Sequence, residues 1–245
     1  MASPALLAAV GEVGEGFIHH RDSANRSCQA IPSKLFCWDW AREHIGRYAT
    51  PTVQHLELVV FSVVIGFIVA FALALLAHRR RWLRTPLLIG TGILFTIPSV
   101  AFFFLLEPLA GRGRDTAIAA LSIYTLQIIY RNTMVGLANV PASVKDAARG
   151  MGLTDRQILW KVELPLATPE IVTGLQIATV STVAIATLAV FAGGGGLGTL
   201  IKSDLSFKTN LILAGGIAFL MAIAFGLILF VVQRLLTPWR RVETT

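Results

Sequence analysis

Long apolar segments alternate with short polar ones along this chain. Five runs are long enough to cross a bilayer as a helix, which takes about 20 apolar residues. They are Leu56–Ala77, Pro86–Leu106, Thr116–Leu137, Ile171–Ala192 and Leu211–Leu235. Backbone groups in hydrocarbon must be satisfied within the segment, so we expect five spanning helices and an all-α fold. The third run is the most polar, because it carries Gln127, Arg131 and Asn132. Pro98 is expected to kink the second helix, because proline removes a backbone donor.

The composition also indicates a membrane protein. Hydrophobic residues make up 55% of the 245 residues, charged residues make up 14%, and the mean hydropathy is +0.69. Soluble domains are roughly a quarter charged. The net charge of +7 does not indicate a nucleic-acid partner, because the basic residues form short clusters beside apolar runs.

The distribution of basic residues predicts an orientation, because cytoplasmic loops are enriched in lysine and arginine. Eleven lie in one set of loops and the C-terminal tail: Arg79, Arg80, Arg81, Arg84, Lys145, Arg149, Arg156, Lys161, Arg234, Arg240 and Arg241. Only four lie in the opposite short loops: Arg112, Arg114, Lys202 and Lys208. We therefore expect the first set, with the C-terminal tail 239–245, in the cytoplasm. Residues 1–50 then form an external segment before a transmembrane domain over 51–238.

The external segment contains both cysteines of the chain. Cys28 and Cys37 lie in SCQAIPSKLFCWDW, and an external location favours a disulfide between them. The alternative is two free thiols in a tail. The following FCWDWAREHIGRY mixes aromatic and charged residues and is typical of a helix lying at the membrane surface.

A polar island, residues 141–165, separates the third and fourth spans. Ser143 to Asp146 and Thr154 to Gln157 each fit a capping box, in which side chains satisfy the free donors of a helix start. Gly150 and Gly152 supply a stop between the two predicted helices, and the second is expected to end at Pro165. The pattern predicts a compact docking knob, with small Ala147 and Ala148 suited to a partner's groove. The alternative is a solvated connecting loop.

Two further segments are candidates for a translocation path. Polar residues recur through the fourth span at helical spacing: Thr173, Gln176, Thr179, Thr182 and Thr187. They either line a path for a hydrophilic solute or support close helix packing. The glycines of GGGGLGT, from Gly193 through Gly194 and Gly195 to Gly198, are not a phosphate-binding loop, because Thr199 stands where the lysine is needed. We interpret this segment as a flexible external loop at the pore exit, or equally as a turn that ends the span.

The polar island resembles a known signature. The island contains Asp146-Ala147-Ala148, then Gly152 after three intervening residues, and then Val162-x-Leu164-Pro165 after nine more. These residues are similar to the EAA motif in membrane subunits of binding-protein-dependent ABC importers. That motif reads Glu-Ala-Ala, a glycine, and later Ile-x-Leu-Pro, so Asp146 and Val162 depart conservatively. The segments FTIPSVAFFFLLEPLAG, IIYRNTMVGLANVPASVKDAARGMGLTDRQILWKVELPLATPEI and AIATLAVFAGGGGLGTLI look closest to the osmoprotectant branch.

The resemblance implies a permease subunit with a cytoplasmic coupling helix pair. Its partners would be ATP-binding subunits that hold ATP and magnesium, a second permease chain, identical or homologous, and an external solute-binding protein. The solutes would be quaternary ammonium compounds such as glycine betaine, choline and carnitine. Coupling would be carried out by the signature residues together with Gly150. The Arg131-Asn132 run, which the resemblance also covers, would have a structural or gating role.

The residues show no enzymatic centre. The five histidines have no metal-ligand spacing, and no nucleophile–base pair stands out. Two other functions stay open: an importer of amino acids such as methionine, whose permeases share the signature, and a channel or enzyme that acts alone.

Overall fold

The apolar runs form long helices in the computed structural model, which describes residues 36–203, 205 and 207–239. Within these residues the secondary structure is helical. The α-helices are α1 (Trp38–His44), α2 (Ala49–Arg79), α3 (Arg84–Thr96), α4 (Ser99–Ala110), α5 (Arg114–Ala138), α6 (Ala142–Gly150), α7 (Asp155–Ile158), α8 (Leu164–Ala186), α9 (Leu197–Ser203) and α10 (Lys208–Leu236). Short 3₁₀ turns join several of them, at Ile45–Tyr48, Arg81–Leu83 and Thr187–Ala192.

Three helical stretches of the described chain are long and apolar enough to cross a membrane. They are Trp38–Arg79, Asp155–Ala192 and Lys208–Leu236, and α3 with α4 would make a fourth if the two form one span. The predicted third span is the continuous 25-residue helix α5. It packs between α2 and α8. Its polar residues make it less apolar than the three stretches named above, so it is not counted among them.

The predicted second span is broken rather than kinked. Helices α3 and α4 meet at an angle of 101° on either side of Ile97–Pro98. Proline disfavours helical geometry in the residue before it, and Ile97 is accordingly extended at φ −66° and ψ 128°. The break exposes the Ile97 carbonyl oxygen, and the Tyr124 hydroxyl of α5 donates a hydrogen bond to it. The predicted change of direction at Pro98 is confirmed in position, but it separates two helices instead of bending one.

Close packing of α2, α5 and α8 forms the centre of the bundle. Leu58, Phe103, Leu121 and Val183 are fully or almost fully buried there. Gly66 of α2 lies so near α5 that an added Cβ would be 1.7 Å from the Thr125 hydroxyl oxygen. Small residues at helix crossings let backbones approach closely, which is the usual way that membrane helices associate.

The segment before α2 folds back onto the bundle. Trp40 of α1 is buried and its ring packs edge-on against Phe207, 4.6 Å between centroids. The Tyr48 hydroxyl donates to Asn210 Oδ1 of α10 at 2.5 Å. Cys37 is buried beside Trp40 and Phe207. Cys28 lies outside the described residues, so the disulfide stays a prediction. The predictions for residues 1–35 and for the tail 240–245 also lie outside the described part of the chain.

Among the described residues, the two predicted sets of basic residues lie at opposite ends of the bundle. Arg84 of one set donates to the carbonyls of Ala77 and His78 where α2 ends. At the other end, Arg114 pairs with Glu57 of α2 at 3.0 Å. We call the first the basic end and the second the glycine-turn end, since Gly193–Gly196 lies there.

Candidate functional site

The candidate coupling region is a pair of short helices at the basic end. The first, α6, begins at Ala142 after an extended Pro141, and no side chain caps its start. The predicted capping box at Ser143 is therefore wrong. The helix starts two residues earlier than predicted, with Pro141 rather than Ser143 at its N-cap, so Ser143 lies inside the first turn. The Asp146 carboxylate accepts from Arg149 at 3.3 Å instead.

The turn between the two helices has the geometry that glycine favours. Gly152 has φ +81°, its N–H donates to the Arg149 carbonyl, and the N–H of Leu153 donates to the Ala148 carbonyl. This pair of bonds is the Schellman motif, which ends helices with a left-handed glycine. Gly150 is the last residue of α6 and has no left-handed φ. The predicted glycine stop is confirmed, and Gly152 is the residue that makes it.

The second helix starts as predicted and ends elsewhere. Thr154 and Gln157 form the capping box in both directions. The helix then continues from α7 through a π-helical turn at Leu159–Glu163 and directly into α8. Pro165 does not end it, so that prediction was wrong. Proline is tolerated in the first turn of a helix, and here Pro165 opens α8 immediately after the π-helical turn.

The signature residues divide into an outward and an inward group. The exposed residues are Asp146, Ala147, Gly150 and Gly152. Ala148 and Leu164 are buried, and Val162 and Pro165 are half-buried. Three larger apolar side chains are exposed in the same region: Val144 of α6 by 38%, Met151 after α6 by 73%, and Trp160 of the π-helical turn by 52%. Exposed apolar groups rimmed by charge are typical of a protein interaction surface.

A buried carboxylate joins the coupling region to the bundle. Glu163, the last residue of the π-helical turn, is 6% exposed. Its Oε2 accepts from Nε2 of His78 at 2.7 Å, and its Oε1 accepts from Nζ of Lys145 at 2.8 Å. His78 lies in the last turn of α2, and Lys145 lies in α6. One side chain thus bridges two elements that are distant in sequence.

A polar cavity of about 750 Å³ opens beside this bridge. Its wall carries Arg79, Arg81 and Arg84 from one side and Arg149 and Arg156 from the coupling pair. The cluster concentrates positive charge next to the outward face of α6 and α7.

The polar residues of α8 separate into two roles. Thr179 and Thr182 are buried, and each hydroxyl donates to the carbonyl four residues earlier, so they serve helix packing. Gln176 faces α10 and donates to the Gly226 carbonyl at 3.2 Å. With Thr187 it lines a groove of about 900 Å³ between α8 and α10, whose other walls are apolar and include Phe219 and Phe230.

The Arg131-Asn132 run lies near the basic end of α5. Arg131 is exposed and Asn132 is half-buried. The Asn132 amide donates to the Ile128 carbonyl at 2.8 Å. Its Cβ lies 2.5 Å from where a Cβ on Gly174 of α8 would stand, so this pair sets the close approach of the two helices.

The glycine-rich segment is a packed turn rather than an open loop. A Cβ on Gly194 would lie 2.6 Å from that of Ala117, and one on Gly195 would lie 2.9 Å from Oε1 of Gln54. A Cβ on Gly193 would meet Arg112 at 3.2 Å. The glycines are therefore explained by backbone approach and by the left-handed φ of Gly193, Gly195 and Gly196. Of the two interpretations, the structure favours the turn that ends the span over the flexible loop.

Three titratable side chains make buried or half-buried hydrogen bonds that were not predicted from the sequence. They are Glu163, His78 and His55, the last fully buried with Nε2 donating to the Val183 carbonyl at 3.1 Å. The signal for Glu163 was available: an acid within the apolar run LWKVELPLA needs a partner if it is buried. Nothing local in the sequence identifies that partner, since His78 is 85 residues away.

Fold and site together define a class of protein: a helical membrane protein with a helix pair at its basic end that is continuous with a long span. The chain belongs to the family of binding-protein-dependent transport system inner membrane components, whose model matches residues 62–242. It is therefore a transport subunit of the inner membrane and not an enzyme.

Named relatives cover most of the chain. It is 36% identical over 203 residues to the osmoprotectant import permease protein OsmW of Salmonella typhimurium, covering 80% of this chain and 94% of that protein. It is 33% identical over 195 residues to the choline transport system permease protein OpuBB of Bacillus subtilis, covering 79% and 90%. A carnitine transport permease of Listeria monocytogenes is 36% identical over 167 residues, 68% of this chain and 77% of that one.

Solved structures share the fold. An inward-facing MetNI methionine ABC transporter matches with a TM-score of 0.63 at 22% identity, over 76% of this chain and 95% of that chain. An amino acid ABC transporter matches with a TM-score of 0.67 at 16% identity, over 81% and 98%. At these identities the likeness concerns architecture and carries no argument about the solute.

Proposed function

We propose that this chain is the permease subunit of an ATP-driven importer of osmoprotectants, quaternary ammonium compounds such as glycine betaine, choline and carnitine. The observation that supports the proposal most strongly is the pair of short helices α6 and α7, which carries the signature residues. A glycine turn joins the two helices, Thr154 caps the second, and the second continues without a break into the spanning helix α8. The solute class is supported by the names of the relatives, which are osmoprotectant, choline and carnitine permeases.

In the proposed assembly, the outward face of α6 and α7 sits in a cleft of an ATP-binding subunit. Asp146, Ala147, Gly150 and Gly152 are on that face. The inward residues Ala148 and Leu164 then fix the knob to the bundle. Two ATP-binding subunits hold ATP and magnesium, a second permease chain completes the membrane part, and an external binding protein delivers the solute.

The groove between α8 and α10 is the proposed solute path. It is open on one side, so a second permease chain would close it. Its walls combine Gln176 and Thr187 with aromatic faces, which attract quaternary ammonium groups. The excess of basic residues at the coupling end supports a cytoplasmic location for that end and an external location for residues 1–50.

Reconstitution with the cognate ATP-binding subunit and binding protein tests this function. Vesicles should accumulate labelled glycine betaine, choline or carnitine only with ATP and the binding protein. Uptake of methionine but none of these compounds would refute the proposed solute class. Solute flux that needs no ATP would refute the importer itself and favour a channel.

A further inference from the structure

The coupling helix α6 has few connections to the rest of the bundle. Most of its residues are exposed, and Ala148 is the one that is buried. Arg149 pairs within the coupling region only, with Asp146 and with Asp155. Among the described residues, the ion pair that leaves α6 and reaches a spanning element is Lys145 with Glu163, and Lys145 also approaches the Leu137 carbonyl of α5 at 3.5 Å.

Glu163 is placed to transmit movement from this connection. Both carboxylate oxygens are engaged, one toward α6 and one toward the end of α2, and its side chain is only 8% exposed. Charge-assisted hydrogen bonds away from water are short, directional and costly to break. Its backbone lies in the π-helical turn that leads into α8, and such turns are frequent at functional sites because their hydrogen bonding is irregular.

We propose that Glu163 is a positioning residue for transport, which couples displacement of α6 to α2 and α8 through Lys145 and His78. When a partner moves α6, Lys145 moves with it and displaces the Glu163 carboxylate. The displacement is then passed to the end of α2 through His78 and to the start of α8 through the Glu163 backbone. The signature explains where a partner docks, whereas Glu163 explains how docking reaches two spans at once. The proposal rests on the proposed function.

The first variant is Glu163→Gln, which keeps the shape and removes the charge. The measurement is solute accumulated per ATP hydrolysed by purified, assembled transporter in vesicles, so that loss of folding or assembly does not enter the ratio. We expect this ratio to fall by about tenfold, within the range of coupling between sites in other proteins, while ATP hydrolysis continues. The matched control is Glu57→Gln, which breaks a half-exposed ion pair with Arg114 at the other end and should leave the ratio unchanged.

A double-mutant cycle tests the connection itself. If Glu163 and Lys145 act as one unit, Lys145→Gln with Glu163→Gln should lower the ratio no further than the worse single variant. Additive losses would overturn the proposal, as would a normal ratio in Glu163→Gln. A fall in assembled complex with an unchanged ratio would also overturn it, because Glu163 would then be only structural. If the unaltered transporter shows no ATP-driven uptake, it is the proposed function that fails.

Discussion

The turn of the coupling pair offers a test in which bulk and backbone strain predict different results. Gly152 has φ +81°, and a Cβ added there would have no heavy atom within 4 Å. A substitution therefore meets no clash within this chain, and its cost arises from the left-handed backbone alone. We consider the series Gly152→Asn, Gly152→Ala and Gly152→Val.

The expected size of the effect follows from the left-handed backbone conformation of Gly152. A left-handed backbone costs an ordinary residue roughly 1–2 kcal/mol, and asparagine less because it tolerates that region. A β-branched residue is a rare outlier there, so valine should cost the most. One or two kcal/mol changes an equilibrium about 5- to 30-fold. The fraction of chains with a correctly formed turn, and with it solute uptake, should be reduced least by Gly152→Asn, more by Gly152→Ala and most by Gly152→Val.

Uptake and ATP hydrolysis by the reconstituted transporter measure this order, and thermal unfolding of the purified chain measures the strain. Gly150→Ala serves as the control for unfolding, because Gly150 ends a helix without a left-handed φ and its Cβ position is also open. Alanine there should hold or raise stability. If Gly152→Asn is more damaging than Gly152→Ala, side-chain bulk at a docked surface governs the effect and the strain argument is refuted.

Three other substitutions test the packing and the caps. Gly66→Val should separate α2 from α5, because its Cβ would overlap the Thr125 hydroxyl; the midpoint of thermal unfolding should fall, and an unchanged midpoint would contradict the close approach. Thr154→Ala removes the confirmed capping box and should cost about 1 kcal/mol in unfolding free energy, whereas Thr154→Ser should retain most of it. Gly198→Ala would put a Cβ 1.9 Å from the Thr187 carbonyl oxygen, so it should destabilise the chain more than Gly216→Ala, whose Cβ would meet open space.

Local patterns predicted the parts of the fold that depend on neighbours in sequence. Four of the five apolar runs became long helices, the second forming two shorter ones, and the cap at Thr154 and the glycine stop were confirmed. These features depend on backbone hydrogen bonding and solvation within a few residues. The start of α6 was missed because the capping pattern favoured Ser143 as the boundary, whereas the extended Pro141 is the N-cap and no side chain caps the helix.

Interactions between distant segments could not be predicted in the same way. The sequence could not decide between a flexible loop and a span-ending turn for the glycine-rich segment, because its packing partners, Gln54 and Ala117, lie far earlier in the chain. The angle of 101° at Pro98 also needed more than the proline, which allows a break but does not set its direction. A hydrogen bond from Tyr124 to the freed Ile97 carbonyl stabilises the break where it occurs.

The continuity of the helix past Pro165 changes how the coupling region should work. A helix that ended at Pro165 would leave a flexible joint between knob and span, and a push on the knob would be absorbed there. The structure instead has an uninterrupted helical path from Asp155 through the π-helical turn into α8, with Glu163 at its junction tied to α2 and α6. A displaced knob must then either bend that turn or carry α8 with it. Because the two hydrogen bonds to the Glu163 carboxylate oppose bending, movement of α8, which lines the proposed path through Gln176, is the expected response.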